Sequence, residues 1–122
     1  MSVTSSVFIR TSDPRDEVVR VLGLLGLTFK TERNRLDEEI FVAHSLGMVL
    51  VLVPEPDFDD DQGIELSRFD FQLSLQALWP DDHTDDLRQA AALFIQGRLA
   101  STTAWESLAV EDLQEVLAEV GQ

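Results

Sequence analysis

The fold is decided by GMVLVLV at residues 47–53 and FDFQLSLQA at residues 69–77, which an acidic loop, EPDFDDDQG at residues 55–63, connects. The first run is apolar throughout and rich in β-branched valine, which predicts a central strand buried on both faces. The second run alternates apolar and polar residues, which predicts a strand with one dry face and one polar face. The polar face comprises Asp70, Gln72, Ser74 and Gln76. We expect two paired strands, a charged turn between them, and this polar face left open.

Helices are predicted before and after these strands in the chain. Asp13 is a good N-cap, Pro14 suits the first helical position, and Gly26 ends the first helix. A second helix starts at Thr84 and carries a broad apolar stripe through Leu99. A third helix is predicted at the C-terminus from apolar residues at i, i+3, i+4 and i+7, namely Leu113, Val116, Leu117 and Val120.

Further strands at residues 7–9, 27–31 and 39–44 complete the order β-α-β-β-β-β-α-α. The short connections between the middle strands indicate antiparallel pairing. We predict one α+β domain over residues 1–122, with an antiparallel sheet of four to five strands and helices packed on one face. The apolar register changes between residues 64–66 and 69–77, which predicts a bulge near residues 67–68.

Negative charge is the strongest compositional feature of the 122-residue chain. The formal net charge is −14, and it is uneven, because residues 1–36 carry +2 and residues 37–122 carry −16. Such a surface repels phosphate backbones, so nucleic acid is not expected as a partner. It attracts basic proteins and accelerates their association at low salt. A high net charge also serves solubility alone, and that alternative stays open.

The composition bears on the compartment as well. The chain has no cysteine, which excludes disulfides and thiol chemistry and fits a reducing compartment. Residues 1–6 lack the basic and long apolar regions of a signal peptide. The apolar run at residues 48–53 is far shorter than the ~20 residues of a membrane helix. A soluble cytoplasmic protein without membrane contact is the expectation.

The acidic loop matches part of an EF-hand calcium loop. Asp57, Asp59 and Asp61 fall at its first three alternating ligand positions. Gly63, however, is one position late for the sharp turn, and Arg68 stands where a bidentate glutamate is required. We therefore predict no metal site and no cofactor, and interpret the loop as a solvated or partner-contacting segment.

Nothing in the sequence predicts catalysis. His83 lies among aspartates at a helix start, where the helix dipole alone favours acidic residues. His44 precedes Ser45, but no third member of a nucleophilic triad is indicated. The sequence contains no Gly-rich phosphate loop, zinc-ligand spacing or dinucleotide fingerprint. We predict that the protein is not an enzyme.

The chain contains two tryptophans, and a core position is favoured for both. Trp79 is nevertheless the better interface residue, because Pro80 and an acidic cluster flank it. Trp105 borders the last predicted helix, which is more often core than docking surface.

Three functions compete. The first is a stoichiometric protein inhibitor, such as the immunity protein of a bacterial toxin, because an acidic plug complements the basic cleft of an enzyme that acts on nucleic acid. The second is a small acidic secretion-type chaperone, a homodimer with an exposed apolar groove. The third is a small-molecule or metal-binding enzyme domain, which needs a deep pocket. The predicted partner-binding residues are Asp57, Asp59, Asp60, Asp61, Glu65, Asp70, Trp79, Asp81 and Asp82.

Overall fold

A computed structural model describes residues 5–45, 47–54, 69–77, 84–111 and 115–120, of which 84, 85, 111 and 115–120 are described by their backbone alone. Two helices and seven strands make up these segments. In chain order they are β1 (Ser5–Arg10), α1 (Arg15–Gly23), β2 (Lys30–Arg33), β3 (Glu39–Ser45), β4 (Met48–Pro54), β5 (Phe71–Ala77), α2 (Thr84–Thr102), β6 (Glu106–Glu111) and β7 (Glu115–Val120).

The described strands form one antiparallel sheet in the order β2-β3-β4-β5-β1-β6-β7. The α+β class and the antiparallel sheet are therefore confirmed. The predicted count of four to five strands is wrong, and so is the predicted order of elements. The chain returns after α2 to pair β6 with the second edge of β1, so that β1 becomes an interior strand.

The predicted C-terminal helix is also wrong, because residues 115–120 form strand β7 and pair with β6; Leu113 lies outside the described residues. The apolar positions at 116, 117 and 120 fit a helix, but 116, 118 and 120 fit the two-residue period of a strand equally well. Six residues are too few for periodicity alone to decide. Pairing decides, because β6 satisfies the backbone groups on one edge of β1, from Arg10↔Glu106 to Ser5↔Glu111, and β7 in turn pairs with β6.

Both helices pack on the same face of the sheet, as predicted. Val18 and Leu22 of α1 and Ile95 of α2 join one buried cluster with alternate residues of the strands. The strand residues of this cluster are Val7, Ile9, Phe41, Ala43, Met48, Leu50, Leu52, Phe71, Leu73 and Leu75.

Strand β4 is interior, as predicted, but only one of its faces is fully buried. Leu50 and Leu52 lie in the core, whereas Val49, Val51 and Val53 point to the other face and are partly exposed. The prediction of two buried faces is wrong because valine and leucine are both apolar, which hides from the sequence the alternation that the pleat imposes. On that second face the valines lie beside the polar side of β5, where Gln72 and Ser74 are half-buried and Gln76 is exposed.

Candidate interaction surfaces

Of the nine residues predicted to bind a partner, only Asp70 lies in the described part of the chain. The others, Asp57, Asp59, Asp60, Asp61, Glu65, Trp79, Asp81 and Asp82, lie outside it. The partial EF-hand match and the bulge predicted near residues 67–68 also lie outside it. These assignments stay predictions from the sequence.

Asp70 connects the start of β5 to the end of β1. Its carboxylate accepts a hydrogen bond from the Thr11 amide at 2.9 Å, and its own amide donates to the Ile9 carbonyl at 2.9 Å. The residue is exposed, yet its amide and its carboxylate both form hydrogen bonds to the end of β1. Asp70 therefore has a structural role that the sequence did not predict, besides any contact with a partner.

An open polar cleft of about 850 Å³ lies where β1 ends, between the start of α1 and the end of α2. Here the Trp105 indole donates to the Asp13 carboxylate at 2.8 Å. Asp13 was expected to cap α1, but the N-cap is Pro14, which makes no side-chain cap hydrogen bond. The carboxylate instead meets the polar edge of a buried tryptophan, as buried indoles generally require.

Two ion pairs also line this cleft. Arg20 donates to the Glu17 carboxylate, and Arg10 lies 4.0 Å from Glu106. The hydrogen bond from Arg20 holds the pKa of Glu17 below its ordinary value of 4.5 and raises that of Arg20. The cleft is thus a network of internal contacts in an open groove.

Helix α2 is unusual because it buries polar side chains. Arg88 is 2% exposed and donates to the Ser5 hydroxyl at 3.0 Å. Gln96, two turns further on, is 5% exposed and donates to the Ser107 hydroxyl at 3.3 Å. Both serines lie on the strands beneath the helix, where each supplies the acceptor that a buried polar group needs.

The same helix leaves large apolar side chains in water. Leu87 is 43% and Phe94 60% exposed. Together with Ala90 they border an apolar cleft of about 280 Å³ between α2 and the segment that connects α1 to β2. Its floor consists of Met48, Leu50 and Ile95, and its other lining residues are Leu25, Leu27, Ser45 and Ala91. We call this the α2 cleft.

The sequence predicted the apolar stripe of α2, but it did not predict which residues of the stripe face the core and which stay exposed. Ala92, Ile95 and Leu99 face the core, whereas Leu87 and Phe94 do not. The available signal was the breadth of the stripe, since apolar residues that cover too much of a helix cannot all reach one core. Which part stays outside depends on the serines that receive the buried polar residues.

Neither described helix combines the length and hydropathy needed to cross a membrane. The described residues contain no group of three or more metal-ligating side chains. Comparison with protein-family models, with curated proteins and with solved structures found no match.

Proposed function

We propose that the protein is an acidic protein-binding module that acts as a stoichiometric inhibitor, of the immunity-protein type, and neutralises a basic toxin or enzyme. The observation that carries this proposal is the formal net charge of −14 on 122 residues. A charge of this size favours encounter with a cationic surface and opposes association with nucleic acid.

The distribution of cations supports the proposal. Four of the nine basic residues form ion pairs with nearby acids, and these four are Arg10, Arg15, Arg20 and Arg33. Arg88 is buried under α2. These five leave four other basic residues in the sequence against 23 acidic ones, so a large negative excess is available to a partner.

The test uses the reading frame beside the gene. We expect its product to be basic and to arrest growth when expressed alone, and co-expression of this chain to restore growth. Native mass spectrometry of the purified pair should show a one-to-one complex. A neighbouring product that this chain neither binds nor neutralises, together with affinity capture from the native host that recovers no basic protein, would remove the proposal.

A secretion-type chaperone is the second candidate, and the exposed apolar surface of α2 favours it. Chaperones of this kind hold an extended segment on apolar surface and act as dimers. Sedimentation equilibrium distinguishes the two, because the chaperone proposal requires a homodimer and the inhibitor proposal does not. A monomer at all accessible concentrations would eliminate the chaperone.

A further inference from the structure

We propose that the α2 cleft receives apolar side chains from a basic segment of the partner. This inference rests on the proposed function and adds to it the place of contact and the chemistry of the occupant. The occupant combines two features: leucine-like side chains that enter the cleft, and lysine or arginine beside them.

The lining of the cleft indicates that the occupant inserts apolar side chains. Among the ten described residues that line it, only Ser45 is polar, and none is charged. The volume of about 280 Å³ is slightly below the about 300–1,000 Å³ typical of small-molecule pockets. The cleft therefore suits one or two inserted side chains better than a whole metabolite.

The apolar side chains along the border of the cleft are exposed, and a bound partner would remove them from water. Leu87, Ala90 and Phe94 are spaced i, i+3 and i+7, so they align along one side of α2. Contiguous apolar surface of this kind on a small protein marks an interaction site, in contrast to scattered single residues. The residues that contribute most binding free energy generally lie in well-packed pockets from which binding excludes water.

The charge around the cleft indicates that the occupant carries lysine or arginine. Four aspartates, at positions 81, 82, 85 and 86, come just before Leu87 in the chain, and residues 69–87 contain no lysine or arginine. The first basic residue after them, Arg88, is buried. Asp86, an exposed residue in the first turn of α2, directly precedes Leu87, so the border of the cleft carries negative charge where a segment enters. A second copy, itself at −14, would be repelled.

The experiment uses a labelled synthetic helix of about 18 residues, or five turns, with leucines at i, i+3, i+4 and i+7 and lysines elsewhere. A twin peptide carries glutamate in place of lysine. Fluorescence anisotropy measures binding to the full chain and to three variants, Leu87→Ser, Phe94→Ser and Leu93→Ser. The last is the matched control, because Leu93 lies on the same helix and is 41% exposed but does not line the cleft.

We expect the lysine peptide to bind the wild-type chain and the glutamate twin not to bind. Leu87→Ser and Phe94→Ser should weaken binding by about tenfold or more, and Leu93→Ser by less than about twofold. All three variants keep the net charge, so binding that depends on charge alone would be equal in all of them. Equal binding by all four proteins, or equal loss in Leu93→Ser, would overturn the inference.

Two outcomes separate this inference from the proposed function. If a native basic partner binds Phe94→Ser as tightly as wild type, the α2 cleft is not the contact site, and the inhibitor proposal still stands. Peptide binding at the cleft in a protein that neutralises no partner would overturn the inhibitor proposal alone. A wild-type dimer that Phe94→Ser converts to a monomer would also overturn the inference, because a second copy would then occupy the cleft.

Discussion

Two carboxylates one turn apart at the start of α1 have different partners. Glu17 pairs with Arg20 on its own helix, at a spacing that is visible in the sequence. Asp13 accepts from Trp105, which is 92 positions away in the chain, and does not cap the helix. Local spacing predicts the first contact, and only the folded chain brings the second pair together.

The Glu17–Arg20 pair gives a pH dependence. Because the folded pKa of Glu17 is lowered, the pair stabilises the fold above the unfolded pKa, and this contribution is lost as pH falls through the folded value, below 4.5. Glu17→Gln should therefore lower the free energy of unfolding slightly at neutral pH and not at acidic pH. Urea denaturation across this range measures the difference. Asp16→Asn, also in the first turn, is the control, and an equal pH dependence in both variants would contradict the prediction.

At the scale of elements, substitutions on the two faces of β4 show which face contributes more to the free energy of unfolding. Leu52 is fully buried and its neighbour Val51 is half-buried on the opposite face. Leu52→Ala should lower the free energy of unfolding by about 2–5 kcal/mol, since it leaves a cavity. Val51→Thr should cost less than about 1 kcal/mol, because surface positions tolerate polar atoms. Chemical denaturation compares them, and similar losses would show that both faces are buried after all.

The buried contact between Gln96 and Ser107 supports the orientation of α2. Ser107→Ala should cost about 1–3 kcal/mol, because it leaves the Gln96 amide buried without this acceptor. Adding Gln96→Leu should recover much of that loss, since an apolar pair needs no hydrogen bond. A double-mutant cycle by urea denaturation measures the coupling. Additive losses would mean that the contact does not hold the helix in place.

At the scale of the whole molecule, the acidic loop predicts a kinetic effect. Changing Asp57, Asp59, Asp60 and Asp61 to Asn brings the formal charge from −14 to −10. The free energy of unfolding should stay within about 0.5 kcal/mol, whereas association with the basic partner should slow and lose salt dependence. Stopped-flow measurements at two salt concentrations test this.

A control with the same charge change separates the loop from the overall field. Asp16, Glu32, Asp37 and Glu38 are exposed and lie outside the loop, and conversion to their amides also gives −10. Equal slowing in both variants would show that net charge acts without a local contact. Unchanged kinetics in the loop variant would show that the loop does not face the partner.

The sequence by itself determined the α+β class, the antiparallel middle strands, both described helices and the strongly acidic character. These follow from local signals, namely alternation, helix starts and composition. Tertiary structure alone decided that the C-terminal segment pairs as strands, because the free edge of β1 supplied its hydrogen-bond partners. It also decided which side of α2 stays in water, because Ser5 and Ser107 receive the helix's polar groups and leave Leu87 and Phe94 outside. Both outcomes depend on contacts between residues that are distant in the chain, and a local sequence pattern does not reveal such contacts.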